Sequence, residues 1–410
     1  MARLASAAVP LVRRVRIPAD VAAICLVIVL ADIVMGISAP NFSLHALSVG
    51  IDLETIGWLP ASSGVVSLCL ALPIGLLSDR VGRRRVIAAG IFAFALGMFC
   101  IGVAQSLPLL LVGCLLFGAA GPATFQIGAA LLGDVTTPGQ RAMAFGFYTT
   151  AMGVGFTIGP LIGGQVAERA GTGIAYIVAA VVGVAGGTLG LLILPRPRPD
   201  AAKTSAGRSL RGILALARRS DLALACLGTL LMSWTFNGAI TTFFPIYGDA
   251  LGLSAATIGA LFALRALVSA FGRLPNGMLA RALGNQSVML AALIVDALAM
   301  LALAFAQQTW LLAILLICEG LAFGAYLVSG QTFVADRTTA ENRGAAVGLY
   351  AMAGSIGATA APASLGAVAD RWGLAATFGT TSALLAVGIV VIVVGLAWSG
   401  RVQHAAAENA

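Results

Sequence analysis

Five ionisable side chains stand in otherwise apolar stretches of the chain: Asp32, Arg265, Arg273, Asp296 and Glu319. A buried carboxylate can carry a proton or meet a cation, and a buried guanidinium can hold an acid. Charge away from water is costly, so these positions come first in any search for chemistry. Asp32 reads as a proton carrier or as the counter-charge of a cationic solute. Arg265 and Glu319 fall at similar depth in separate runs. That depth allows a switchable ion pair in which Glu319 takes up a proton or engages a solute in one state. Arg273 lies nearer the end of its run and reads as a snorkelling side chain. A second cluster suits a water-exposed turn. Between two long apolar runs come Gly75, Asp79, Arg80, Gly82, Arg83, Arg84 and Arg85, with four arginines and one carboxylate in seven residues.

Other chemistries lack their residues. The two histidines, His45 and His404, read as loop residues, and the six cysteines are scattered without paired spacing, so neither a metal site nor a disulfide is expected. One lysine, Lys203, is present, and it does not sit in the Gly-Lys-Ser/Thr sequence of a phosphate-binding loop. No nucleophile–base arrangement appears. The expectation is no catalytic residue, no metal and no cofactor, with a proton gradient as the energy source.

The elements that must position these charges follow from composition. The 410 residues are 60% apolar and 10% charged, with a mean hydropathy of +1.00. A water-soluble domain cannot bury that much apolar surface. About a dozen runs are long enough for a helix across a bilayer core of ~30 Å. The spans fall at roughly 19–41, 55–78, 86–105, 107–133, 142–167, 173–194, 221–247, 255–280, 287–306, 309–335, 344–369 and 374–398. The fold class is an all-α membrane protein of twelve transmembrane helices. The run after Arg16 is long, carries Asp32 and reads as a retained first span.

The N-terminal tail (1–18) precedes a six-helix bundle (19–194). A Pro-, Arg- and Ser-rich linker (195–220) leads to a second bundle (221–398) and a short tail (399–410). On this topology 20 of the 24 basic residues lie on the side of the termini, which the positive-inside bias makes cytoplasmic. The net charge of +8 is thus sorted by side and suits a membrane surface; no nucleic-acid partner is expected.

The two bundles repeat at a constant spacing of 202 residues. Asp134, Thr136, Thr137 and Arg141 return as Asp336, Thr338, Thr339 and Arg343. Gly57, Pro73, Gly82, Tyr148, Gly155, Pro160 and Gly164 return as Gly259, Pro275, Gly284, Tyr350, Gly357, Pro362 and Gly366. The turn charges do not return: Arg281, Asn285 and Gln286 stand opposite Asp79, Arg83 and Arg84.

Two six-helix halves joined by a basic linker resemble the major facilitator superfamily. Gly75, Asp79, Arg80, Gly82, Arg83 and Arg84 match that family's loop 2–3 signature. Gly155, Gly159, Pro160, Gly163 and Gly164 are similar to the fifth-span motif of its drug:proton antiporter branch. Asp32, Gly36 and Pro40 resemble the pattern that opens many twelve-span antiporters. The resemblance implies alternating access and export of small amphipathic or drug-like molecules by proton antiport. It also implies a bacterial plasma-membrane location, both termini cytoplasmic, and a functional monomer working with lipid, protons and a small-molecule substrate. The 79–85 turn would latch the cytoplasmic side, with Asp134 and Arg141 as charge partners. Cavity candidates are Gln126, Tyr148, Trp234, Asn237, Tyr326 and Tyr350, with Thr124, Thr241 and Gln331 beside them. One departure stands out: Cys114 occupies the span-four position where the branch often has arginine. That leaves a proton-coupled or facilitative importer of a small metabolite as the alternative.

Overall fold

The computed structural model describes residues 18–137, 139–196, 219–273, 275–339 and 342–408. Twelve helices among them are long and apolar enough to cross a bilayer. They are α1 (Ala19–Ser48), α2 (Leu53–Val81), α3 (Arg83–Gly102), α4 (Leu107–Val135), α5 (Met143–Ala170) and α6 (Thr172–Ile193), then α7 (Ser220–Ala250), α8 (Ala255–Gly272), α9 (Asn285–Leu303), α10 (Thr309–Asp336), α11 (Arg343–Trp372) and α12 (Leu374–Leu396). Helix is the expected solution in lipid, because each segment satisfies its own backbone.

The repeat is visible in how the helices start and turn. Asp52 caps α2 by accepting the Thr55 N–H at 2.8 Å, and its counterpart Ser254 caps α8 by accepting the Thr257 N–H at 3.3 Å. Every positive-φ residue among those described is a glycine, and the six form three repeat pairs: Gly50 with Gly252, Gly82 with Gly284, Gly171 with Gly373. Each supplies the left-handed corner between two consecutive helices.

Large exposed apolar side chains on α6, α9 and α12, such as Leu192, Leu298 and Val387, form the surface that lipid would cover. The two bundles meet through α1 and α7, α2 and α11, and α5 and α8. At the end away from the termini these contacts are backbone-close. A methyl on Gly57 would stand 3.1 Å from Gly366 Cα and closer still to the Pro362 carbonyl oxygen. Its counterpart Gly259 meets Gly164 Cα at 3.0 Å and the Pro160 carbonyl oxygen in the same way. The Glu168 carboxylate accepts the Ala256 N–H at 2.9 Å across the same seam. At the end bearing the termini, Gly75, Gly146 and Gly348 have no atom within 4 Å of where a Cβ would stand. The halves are joined at the far end.

Some boundaries differ from the sequence expectation. Helix α1 runs through Pro40 to Ser48 instead of ending near residue 41, which puts His45 inside a helix and not in a loop. Its ring is held by the Thr172 hydroxyl at 2.9 Å and the Ile101 carbonyl at 2.8 Å. Helix α8 stops at Gly272 rather than continuing to 280. Pro275 has no N–H to offer, and a short helix, Asn276–Leu283, begins after it. Two wide π-helical stretches, Pro122–Gln126 in α4 and Thr235–Phe243 in α7, had no signal in the periodicity. The linker positions 197–218 and the tail positions 1–17 lie outside the described residues.

Candidate functional site: a phenylalanine-lined cavity beside a buried charge cluster

A cavity of about 310 Å³ lies between the bundles, walled by α1, α2, α3, α4, α5, α7 and α11. The two π-helical stretches contribute Phe125 from α4 and Phe236, Asn237, Thr241 and Thr242 from α7. A π turn widens the helix and carries side chains out of the normal register, a distortion common at functional sites. Thr242 accounts for part of it by donating to the Asn237 carbonyl, five residues back, at 2.7 Å. Pro60 and Pro362, one beside each of the glycine contacts that join α2 to α11, close the cavity toward the far end.

Six phenylalanines line the cavity: Phe42, Phe94, Phe117, Phe125, Phe156 and Phe236. Phe94 holds the cluster on one side, with ring centroids 5.0 Å from Phe117 and 6.0 Å from Phe125. On the other side Phe156 lies 6.1 Å from Phe236, which lies 5.0 Å from Phe323. None of the lining residues is charged.

The charges sit behind this wall. Arg265 of α8 grips Glu319 of α10 in a two-pronged ion pair. One prong is Nη2 to Oε1 at 2.6 Å and the other is Nε to Oε2. Both side chains are buried, 3% and 1% exposed, so water does not share the pair. The Arg265 guanidinium also lies over the Phe236 ring, 4.4 Å from its centroid, and 5.0 Å from that of Phe323. Such stacking adds ~0.5–2 kcal/mol. Asp296 of α9 is fully buried, and its field reaches both Glu319 and Arg265. The Thr235 hydroxyl stands beside the Asp296 carboxylate and also reaches the Leu231 carbonyl at 3.3 Å. The cluster holds one cation and two acids.

A family model for the Major Facilitator Superfamily matches residues 24–257 and 225–409. The chain belongs to the Major Facilitator Superfamily. It is 27% identical over 331 residues to a tetracycline resistance protein, class G, of Vibrio anguillarum, covering 77% of this chain and 82% of that one. It is 25% identical over 352 residues to the multidrug resistance protein MdtG of Enterobacter lignolyticus, covering 84% of each. Among solved structures, a bacterial homologue of the human lysosomal transporter Spinster, in an inward-facing and occupied conformation, superposes with a TM-score of 0.78 at 16% identity. That match covers 92% of this chain and 96% of that one, and the likeness is one of fold. The chain is a multi-pass membrane transporter of this superfamily and not an enzyme.

Within that superfamily frame, the expected site residues fall into separate groups. The fifth-span glycines face two ways. Gly155, Gly159 and Gly163 pack on α1: a methyl on Gly155 would meet Asp32 Cβ at 2.6 Å, and one on Gly159 would meet Gly36 Cα at 2.6 Å. Pro160 packs its ring on Gly36 of α1 and turns its carbonyl to Gly259 of α8, and Gly164 presses on Gly259 across the same seam between the halves. Asp32 is buried behind Gly155, one turn from the cavity residue Met35, and its Oδ2 has no partner.

The turn residues gather at the end bearing the termini. Arg83 Nε lies 2.7 Å from Asp134, and its Nη2 lies 3.8 Å from Asp79. Arg141 lies within the field of Asp134 without forming an ion pair, and Arg80 and Arg84 make none among the described residues. Gly75 and Gly82 are open around their Cα positions.

Of the six cavity candidates, Asn237 lines the cavity and the other five do not. The Tyr148 hydroxyl donates to the Phe125 carbonyl at 2.8 Å, and that of Tyr326 to the Ala225 carbonyl at 3.4 Å. Both tyrosines are buried as packing, and Tyr350 lies beside Tyr326 against Gly330. Gln126 is exposed on α4, and Trp234 sits just before the cavity-facing stretch of α7. The lining phenylalanines carry no sequence signal, because aromatic residues in a membrane helix have no distinguishing period when the whole run is apolar. Asp296 stands out in sequence as a charge in an apolar run, and the fold adds that it turns inward onto Arg265 and Glu319.

Proposed function

We propose that the chain exports small amphipathic or drug-like molecules by proton antiport, alternating access between the two faces of a bacterial plasma membrane with both termini in the cytoplasm. The observation that carries the proton step is the Arg265–Glu319–Asp296 cluster. One buried guanidinium can neutralise one carboxylate, so the second acid is neutral only when it holds a proton. The Thr235 hydroxyl beside Asp296 can turn either way, donating to the charged carboxylate or accepting from the protonated acid, so it serves both states of a proton carrier. Asp32 is a second buried acid without a counter-ion, at the α1–α5 contact. With the termini cytoplasmic, the far-end contacts of Gly57 and Gly259 seal the outside, and rocking the halves about those contacts would exchange access. The tetracycline- and multidrug-resistance relatives support export as the direction.

Inside-out vesicles carrying the protein, loaded by respiration with an acid interior, test this. Adding members of a toxic-compound panel against which overexpression protects growth is expected to release protons and accumulate the compound. Asp296→Asn and Asp32→Asn are each expected to cut the proton release at least tenfold. Accumulation that persists after the gradient is collapsed would remove antiport from the account.

A further inference from the structure

The cavity and the charge cluster share one residue, Phe236, and that sharing bears on what the cavity can hold. Its wall carries no Asp, Glu, Lys, Arg or His, so an ion entering it would shed water with no counter-charge in contact. The nearest charge on the α7 side is Arg265, and the Phe236 ring lies between that guanidinium and the cavity, 4.4 Å from the cation. An aromatic box can attract a cation through its ring faces. Here the Phe236 ring already serves Arg265, and the acid that might complete a cation site, Glu319, is spent on the same arginine.

The polar atoms at the wall are sparse, and most are committed. Ser63 donates to the Cys114 carbonyl at 2.8 Å, Thr359 to Ser355 at 2.8 Å and Thr242 to Asn237 at 2.7 Å. Thr241 Oγ1 is buried without a partner. Asn237 spends one N–H of its NH₂ on the Ser233 carbonyl at 3.0 Å, which leaves the other N–H to donate and its amide oxygen to accept. The free groups on α7 are thus the Thr241 hydroxyl and the remaining amide hydrogen and oxygen of Asn237, and α2 adds the Ser67 hydroxyl, all set in a box of rings.

We infer that the cavity takes an uncharged aromatic compound of roughly two to three rings that offers a hydroxyl or amide hydrogen to Asn237 and Thr241, and that Phe236 is the partition excluding charged analogues. The ring count follows from a volume at the low end of small-molecule sites, ~300–1,000 Å³. This rests on the transport reading above and narrows it to a class of substrate.

The test is binding to the purified full chain in lipid nanodiscs, scored by the ligand-dependent shift in thermal unfolding. Three probes separate the charge states: neutral N-phenyl-1-naphthylamine, its sulfonated analogue 8-anilinonaphthalene-1-sulfonate, and the cation ethidium. The neutral probe is expected to bind at least tenfold more tightly than either ion. Thr241→Val, nearly isosteric, is expected to weaken it several-fold. Two substitutions should redirect the preference. Phe236→Ala opens Arg265 to the cavity and should raise affinity for the sulfonate at least fivefold. Ser67→Asp puts a carboxylate in the wall and should do the same for ethidium. Wild-type binding of ethidium or the sulfonate as tight as that of the neutral probe overturns the inference, and so does a neutral affinity that none of the three substitutions alters. A protein that binds the neutral probe selectively yet releases no protons in vesicles refutes antiport and leaves this site standing. One that pumps protons but prefers ethidium does the reverse.

Discussion

The two halves share a backbone plan and differ in their chemistry. The turn glycines, the helix caps and the glycine contacts at the far end occur in both, 202 residues apart. Even one helix crossing is shared: Gly118 packs on the backbone of Ser63 as Gly320 packs on the backbone of Arg265. The side chains at that crossing are not shared. Ser63, Phe117 and Phe94 of the first half stand where the second half has Arg265, Glu319 and Asp296. The first three line the cavity, and the second three form the buried charge cluster. A duplicated frame therefore presents an apolar wall from one copy and ionisable groups from the other. Positions that fix backbone approach have stayed alike, and positions that only fill space were free to diverge.

The largest expected effect comes from breaking the charged copy of the crossing. Glu319→Ala leaves the Arg265 guanidinium buried with no carboxylate in contact, which should cost about 3–5 kcal/mol and lower the thermal midpoint in lipid nanodiscs sharply. Installing the first half's residues, Arg265→Ser with Glu319→Phe, removes both charges at once. The double variant should recover most of that stability while losing the pH dependence of transport. On the proposed antiport, coupling to a proton gradient that survives in the double variant would show the division of labour between the halves to be wrong.

A smaller effect, and an equal one in the two halves, is expected at the far-end seam. Gly57→Ala and Gly259→Ala each push a methyl into the backbone of the opposite bundle, which can be relieved only by moving a helix. Overpacking of this kind costs ~1–3 kcal/mol, charged here to the closed-outside conformation. Both variants should increase labelling of Ser67→Cys from the far side by an impermeant thiol reagent, in a background without the native cysteines. A response from only one of the two would show that the seam is not symmetric in energy despite its symmetric geometry.

Much of this frame was legible in the sequence because membrane helices and backbone contacts leave residue-level marks. A run of apolar residues must be a helix in lipid, and a glycine that permits close approach or a left-handed turn recurs when the unit is duplicated. The site was legible only where it was charged. Arg265 and Glu319 stood out against their runs, whereas Phe94, Phe117 and Phe236 did not differ from any other apolar residue in theirs. His45 lies inside α1 and not in a loop because the helix runs on through Pro40, a residue tolerated within a membrane helix whose neighbours hold it. The π-helical stretch of α7 depends on a side chain donating five residues back, a contact that no period of 3.6 foretells.

The smallest expected difference lies at the turn between α2 and α3, where the comparison can be sharpened most. Arg83 pairs with Asp134 at 2.7 Å, and at the same repeat positions Asn285 reaches Asp336 at 3.4 Å. The second contact is the uncharged remnant of the first. Because the Arg83–Asp134 pair is only partly shielded from water, Asp134→Asn should cost no more than about 1 kcal/mol, and Asp336→Asn should cost less. Transport is the more telling measurement. The Asp79 side chain is 51% exposed and touches Arg83 at a long 3.8 Å, so in this conformation its carboxylate is poorly committed. In the alternating-access cycle proposed above, it would engage the opposite bundle when the end bearing the termini closes, and the repeat offers no second acid for the task, since Arg281 occupies the matching position. Asp79→Asn should therefore slow transport severalfold more than Arg281→Gln, at equal expression and with little change in thermal midpoint for either. Equal slowing would place the latch in both copies, and no slowing from Asp79→Asn would remove it from the conformational cycle.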